Sequence, residues 1–78
     1  MLERQHLQII QQINRLGTMT EAAKALFLSQ SALSHSMKKI ESTYGVAIWQ
    51  KEGRLLRLTQ AGEALLQVAD RVIPLFDY

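Results

Sequence analysis

Two helix-start signals lie close together in this chain, and they constrain its fold more than any other feature. Thr18 is followed three residues later by Glu21, which is the pattern of a capping box. Ser29, eleven residues after Thr18, is a second N-cap candidate. The segment between them, 21–26, consists almost entirely of strong helix formers. The spacing therefore predicts a short helix that a brief turn joins to the next helix.

The residues before Thr18 have the pattern of an amphipathic helix. Over 3–16, apolar side chains recur at helical spacing, at Leu7, Ile10, Ile13 and Leu16. Gly17 follows where a glycine in the left-handed conformation often ends a helix. A first helix is therefore predicted from residue 3 to residue 16.

The helix that starts after Ser29 is predicted to have one buried face and one polar face. Apolar residues spaced four, three and four apart form the buried stripe, namely Leu33, Met37, Ile40 and Tyr44. At about 100° per residue, small polar and basic side chains fall on the opposite face: Ser31, Ser34, His35, Lys38 and Ser42. Gly45 is expected to end this helix.

A change of pattern after Gly45 predicts a small β-hairpin over 46–58. Two short apolar stretches, 48–50 and 55–58, flank Lys51-Glu52-Gly53-Arg54, a tetrad with the composition of a turn. Trp49 is expected to anchor this hairpin on the core rather than to stack on a nucleotide base.

The last segment is predicted to be a helix capped by Thr59, with a heptad stripe at Leu65, Val68, Val72 and Leu75. One small domain has little left to cover this stripe, so we expect a second copy of the chain to pair with it. Ordinary intrachain core is the alternative. Pro74 is expected either to kink the helix or to end it near Ile73.

Composition limits the chain to one small domain. It has 78 residues, 47% of them hydrophobic, and no cysteine, so neither disulfides nor a thiolate zinc site stabilises the core. The net charge is only +2, but 24–57 holds six basic residues against two acidic ones. A basic middle region is typical of a surface that contacts a polyanion, although an ordinary solvated surface is equally compatible with it.

A short helix, a turn and a helix with a polar face together predict a helix-turn-helix, whose second helix enters the major groove of DNA. Gln30 can pair with adenine, Ser31 and Ser34 can donate or accept, and His35 can donate to guanine or a phosphate. Lys38 and Lys39 lie further along, where phosphates are the expected target. An unpartnered surface histidine is the alternative for His35. A protein-interaction module and a non-specific nucleic-acid binder are the rival functions.

Several segments in register resemble the DNA-binding signature of the LysR-type transcriptional regulators. They are 17–26, 29–34, Glu41, Gly45 and 58–62, and together they span nearly the whole chain without gaps. Within that family, 30–35 and the late Pro74 resemble the methionine-biosynthesis regulators. Three positions depart from the family pattern: Ser31 stands for a frequent proline, His35 for a frequent arginine and Trp49 for a frequent phenylalanine. The first two lie among the residues expected to meet base edges.

The resemblance implies a mainly α fold: a winged helix-turn-helix over 1–58 and a linker and dimerisation helix over 59–78. It implies a homodimer on an interrupted palindrome of double-stranded DNA, with a tetramer possible in a full-length protein. The effector-binding domain, with its small-molecule effector, would follow the linker helix. By position, DNA contacts fall on Thr18, Thr20, Gln30, Ser31, Ser34, His35, Lys38, Lys51 and Arg54, and dimer contacts on Leu65, Val68, Val72 and Leu75.

Other classes of function find no support in the sequence. Ser34 and His35 are adjacent on a predicted helix and point about 100° apart, so they do not make a nucleophile and its base. His6 and His35 are far apart, and no second ligand pairs with either at helical spacing. We therefore expect no enzyme, no metal and no cofactor. Neither an apolar run of about 20 residues nor a signal peptide occurs, which predicts a cytoplasmic protein without a membrane partner.

Overall fold

The fold is that of a computed structural model, which describes the backbone of residues 3–76 and the side chains of residues 3–73. Four helices and one antiparallel hairpin follow one another along the chain. They are α1 (Arg4–Leu16), α2 (Met19–Ala25), α3 (Gln30–Tyr44), β1 (Trp49–Glu52), β2 (Leu55–Leu58) and α4 (Gln60–Phe76). The predicted mainly α class is confirmed, together with the order of its elements.

The helix ends follow the capping residues found in the sequence. The Thr18 hydroxyl accepts a hydrogen bond from the Glu21 N–H at 3.3 Å, and the Ser29 hydroxyl accepts from the Ala32 N–H at 3.1 Å. Gly17 has a φ of +80° and donates to the Ile13 carbonyl oxygen. This conformation is strained for other residues, so a glycine lets α1 end at Leu16 and α2 start at Met19.

The main core lies between the first three helices and the hairpin. Its largest fully buried side chains are isoleucines and a leucine from α1, α3 and the segment before β1: Ile9, Ile10, Ile13, Leu33, Ile40 and Ile48. Met37 and Tyr44 pack against this cluster, as the apolar stripe of α3 predicted. Trp49 is only 8% exposed, which confirms it as the anchor of the hairpin.

The hairpin turns more tightly than the sequence suggested. Trp49 pairs with Leu58 and Glu52 with Leu55, so only Gly53 and Arg54 remain in the turn. Of these two, Gly53 alone has a positive φ, +64°, as in a type II′ turn. The prediction of a four-residue turn was therefore wrong, because a glycine at the first central position lets the chain reverse in two residues.

Helix α4 packs along α1. Leu7, Ala69 and Ile73 form a second buried cluster, with Val72 against it. Leu65 packs on the main core instead. The main core and α1 therefore cover part of Leu65 and Val72, and each keeps some exposed surface, so pairing through this stripe stays a prediction.

Val68 and Leu75 are the other two residues of the α4 stripe. Val68 is half-buried and, among the described residues, belongs to neither cluster. The Leu75 side chain lies outside the described residues. The helix continues past Pro74 to Phe76, so the alternative that it ends near Ile73 is wrong. Proline removes one N–H donor, and its fixed φ is still that of a helix.

Thr59 joins α4 to the segment that leads into β1. Its hydroxyl accepts from the Gly62 N–H at 3.1 Å, which confirms the predicted cap, and donates to the Ala47 carbonyl oxygen at 2.6 Å. Its N–H donates to the Ile48 carbonyl oxygen. Gly62 packs so closely beneath this segment that an added Cβ would overlap the same Ile48 oxygen. Over the described residues, no helix is both long and apolar enough to cross a membrane.

Candidate nucleic-acid interface

Two adjoining concavities lie on one face of the domain, where α2, α3 and the hairpin meet. The first is lined by Met19 and Lys51 together with α3 residues, namely Gln30, Ser31, Ser34, His35 and Lys38. The second is lined by Thr18, Met19, Thr20, Lys51, Gly53, Arg54 and Leu56. Met19 and Lys51 line both, so the concavities form one continuous surface. All nine residues predicted to contact DNA lie on it, and we call it the α3–wing face.

The polar side of α3 is accessible along this face. Gln30, Ser31, His35 and Lys38 are exposed, and Ser34 is half-buried. The small side chains of Ser31 and Ser34 leave the helix backbone open to close approach. No acidic residue occupies the first turn of α3, so its N-terminal end keeps the partial positive charge of a helix start.

A hydrogen bond crosses the turn between the two helices of the motif. Gln30 Nε2 donates to Thr20 Oγ1 at 3.1 Å. Gln30 is the first residue of α3 and Thr20 the second of α2, and each lines a different concavity. This bond therefore lies at the boundary between the two halves of the α3–wing face.

Three acidic residues near this face have partners of their own. Glu52 pairs with Arg57, and Glu21 lies 3.9 Å from Lys24. Glu41, which lines a neighbouring concavity with Lys38 and Lys51, accepts two backbone hydrogen bonds. The positive charges of Lys38, Lys51 and Arg54 are therefore not matched by these carboxylates. The face attracts anions for that reason, and the attraction is exposed to salt screening.

The two histidines have different surroundings. His35 is exposed on the α3–wing face. His6 is half-buried on α1, with its Nε2 3.4 Å from a Glu3 carboxylate oxygen and its ring edge-on to Tyr44. Within the described part of the chain, no group of three or more His, Cys, Asp or Glu residues could hold a metal ion.

Comparison with known sequences decides the family. Residues 4–63 match the profile of the bacterial regulatory helix-turn-helix proteins of the lysR family. This chain belongs to the lysR family. It is 40% identical over 73 residues to the HTH-type transcriptional regulator MetR of Haemophilus influenzae, an alignment that covers 94% of this chain and 24% of that relative. The family resemblance is confirmed, and the relative's name agrees with the subgroup that 30–35 resemble.

Solved structures of family members share the whole fold. The crystal structure of the CbnR_DBD–DNA complex superposes with a TM-score of 0.88 at 32% identity, covering 97% of this chain and 87% of that one. CbnR, a LysR family transcriptional regulator, gives the same TM-score and identity, with 26% of its chain covered. The predicted winged helix-turn-helix is confirmed. This chain spans about a quarter of the length of the curated relatives it matches.

The sequence did not predict the structural role of Glu41, which helps to position this lysR-family interface. Glu41 Oε2 accepts hydrogen bonds from the N–H groups of Ile48 at 2.7 Å and Trp49 at 3.2 Å. It thereby ties α3 to the start of the hairpin. The signal was present, because Glu41 follows Met37 by four residues and so lies on the side of α3 that faces the core.

A second tie holds the hairpin from the opposite direction. The Leu56 N–H donates to the Gly17 carbonyl oxygen at 2.8 Å, at the junction of α1 and α2. With Leu56 and Trp49 both buried, the hairpin is held on the core from both strands. Lys51 and Arg54 of this lysR-family wing therefore have defined positions relative to α3.

Proposed function

We propose that this chain is a sequence-specific double-stranded DNA-binding domain of a bacterial transcriptional regulator, with α3 in the major groove. One observation carries the proposal: three separate segments bring nine polar and basic residues onto one continuous face. An α-helix fits the major groove of B-DNA, about 12 Å wide. The likeness to the CbnR_DBD–DNA complex supports the same mode of binding.

The residues of the α3–wing face would contact different parts of the DNA according to their positions. Gln30, Ser31, Ser34 and His35, in the first half of α3, would meet base edges. Lys38, further along α3, would contact phosphates. On either side, Thr18 and Thr20 at the start of α2 and Lys51 and Arg54 of the wing would contact the backbone or the minor groove. This role is that of a binding domain, without catalysis, metal or cofactor.

We further propose that two copies pair through α4, at Leu65, Val68, Val72 and Leu75. Val68 supports this, because it is half-buried yet outside both clusters of the chain. Two α3 helices related by a two-fold axis would require an interrupted palindrome with fixed spacing. A tetramer, a small-molecule effector and its binding domain are proposed for a longer protein of the relatives' length. Such a regulator would act in the cytoplasm.

Selection from randomised DNA duplexes tests this function directly. The purified chain is expected to enrich a palindromic site, and Gln30→Ala or Ser34→Ala should each remove about 1–3 kcal/mol of discrimination at defined base pairs. Gln67→Ala, at an exposed position of α4, is the matched control and should leave the selected sequence unchanged. Binding without sequence preference would indicate a non-specific binder, and no binding to DNA would indicate a protein-interaction module. Either result would overturn the proposal.

A further inference from the structure

The hydrogen bond between Gln30 and Thr20 carries an inference about base preference. We propose that Thr20 is a specificity-determining residue that acts through Gln30, holding its carboxamide in the orientation that reads one adenine. The inference rests on the proposed function, since it presumes that α3 enters the major groove. It gives Thr20 a role distinct from the backbone contact that the family resemblance implies.

The bond restricts a side chain that is otherwise free to rotate. Both residues are exposed, and Gln30 has a long side chain that loses considerable rotamer freedom when it is ordered. Thr20 is β-branched and stands on the first turn of α2, so its own hydroxyl position is limited to few rotamers. Holding Gln30 Nε2 against this hydroxyl orders the carboxamide before DNA arrives. The entropy cost of ordering then falls on folding and not on binding.

Counting donors and acceptors identifies the base. A glutamine carboxamide has two N–H donors and one carbonyl acceptor. One N–H is engaged by Thr20 Oγ1, so one donor and the acceptor Oε1 remain. Adenine presents one acceptor, N7, and one donor, N6–H, in the major groove, whereas guanine presents two acceptors. The remaining groups of Gln30 therefore match adenine.

The same counting shows what the opposite orientation would do. If the Thr20 hydroxyl donated to Oε1, two N–H donors of Gln30 would face the groove and would match guanine. With Nε2 as the donor, the Thr20 O–H stays available for a phosphate oxygen. Thr20 can then position Gln30 and contact the DNA backbone at the same time. Losing the first role would lower base discrimination, whereas losing the second would lower affinity equally for every duplex.

A set of binding titrations separates the two roles. Dissociation constants are measured for the selected duplex and for duplexes in which each base pair of one half-site is changed in turn. Thr20→Val, which replaces the hydroxyl with a methyl group of similar size, is expected to reduce discrimination at a single A·T pair by about 2- to 10-fold, the effect of one hydrogen bond. Affinity for unrelated duplexes should change little. Thr20→Ser should retain the discrimination, and Thr43→Val, which removes an exposed hydroxyl elsewhere on α3, should not affect it.

A double-mutant comparison tests whether Thr20 acts through Gln30. In a Gln30→Ala background, Thr20→Val should cause no further loss of discrimination. Additive losses would overturn the inference, as would a guanine at the base pair that Gln30→Ala affects. A loss of equal size on every duplex would also overturn it, because that result describes a phosphate contact alone. If the wild-type chain shows no sequence preference, the proposed function fails first, and the inference fails with it.

A measurement on the free chain needs no DNA. The ¹⁵N heteronuclear NOE of the Gln30 carboxamide should indicate an ordered group in the wild type and in Thr20→Ser, and a mobile one in Thr20→Val. Circular dichroism confirms that each variant is folded. Equal mobility of the carboxamide in wild type and Thr20→Val would overturn the inference.

Discussion

The Glu41 carboxylate lies 2.7 Å from the backbone nitrogen of Ile48 and accepts its hydrogen bond. The same oxygen accepts from Trp49, the first residue of the hairpin. One side chain of α3 therefore satisfies two backbone donors of the segment that leads into the wing, which would otherwise be left unpaired at a part-buried site. This carboxylate therefore connects α3 directly to the start of the wing.

Glu41→Ala should lower the free energy of unfolding by about 1.5–3 kcal/mol, the usual effect of losing hydrogen bonds to a charged group. Urea denaturation followed by circular dichroism measures it. Glu41→Gln keeps an acceptor and should lose less. Glu63→Ala, at an exposed position in the first turn of α4, is the control and should lose less than about 1 kcal/mol. Equal losses for Glu41→Ala and Glu63→Ala would contradict this account.

Gly62→Ala should destabilise the domain, although the helix propensity of alanine is more favourable than that of glycine by about 1 kcal/mol. The added Cβ would overlap the Ile48 carbonyl oxygen and lie 3.0 Å from Leu58 Cδ2. Because a backbone atom must move, we expect a net loss of about 1–3 kcal/mol in urea denaturation. Gln67→Ala introduces the same side chain at an exposed α4 position and should be close to neutral. A more stable Gly62→Ala variant would show that α4 can move away from Ile48 freely.

Stability should fall at high pH because of Tyr44. Burial raises the pKa of its hydroxyl above the ordinary value of 10.0, and the Glu3 carboxylate raises it further. The folded state thus holds the proton more tightly than the unfolded chain. The contribution of Tyr44 is complete below pH 10.0 and is lost as the pH rises toward the folded-state pKa. Urea denaturation at increasing pH should show that Tyr44→Phe loses less stability there than the wild type. A constant difference between the two proteins at all pH values would argue against it.

The positive charges of the α3–wing face should govern the salt dependence of DNA binding. Lys38→Ala, Lys51→Ala and Arg54→Ala should each lower the slope of log affinity against log salt by about one, because each substitution removes one cation that neutralises a phosphate. Fluorescence anisotropy at several salt concentrations measures the slope. Lys39, which the sequence also placed near phosphates, is exposed but lies outside the two concavities, so Lys39→Ala is the control and should leave the slope unchanged. Unchanged slopes in all three variants would place the phosphate-binding residues on another surface.

The proposed dimer is best tested at Val68. Leu65 and Val72 pack within their own chain, so acidic substitutions there would also damage the monomer. Val68→Asp should weaken the dimer at least about 100-fold, because each copy loses the burial of one valine. Sedimentation equilibrium measures this, and Gln67→Asp is the control at the next, exposed position. A wild-type chain that stays monomeric at high concentration, or a Val68→Asp dimer of unchanged affinity, would rule out this seam.

Local signals in the sequence predicted the helices and the chemistry of the face. The hydroxyls of Thr18, Ser29 and Thr59 each cap the helix that they were expected to cap. Caps and apolar spacing are properties of a few neighbouring residues, so the sequence carries them directly. The polar side of α3 followed from the same periodicity, because one stripe of the helix had to be buried.

Contacts between distant residues were the part that the sequence did not predict. The pairing of Glu41 with Ile48 and of Gln30 with Thr20 depends on how whole helices pack, which periodicity does not specify. The packing of Leu65 and Val72 against their own chain was not predicted for the same reason. A heptad stripe shows that a face must be covered, but it does not show whether α1 or a second chain covers it.

The three hydrogen bonds of Thr59 connect the start of α4 to the segment that leads into the wing. The residue holds the start of α4 and, through Ala47 and Ile48, the approach to β1. A change in the direction of α4 at Thr59 would therefore be passed to the hairpin through these bonds. In an assembly joined through α4, the crossing angle of the two α4 helices would determine the distance between the two wings. That distance would determine the length of duplex between the two sites that the wings contact.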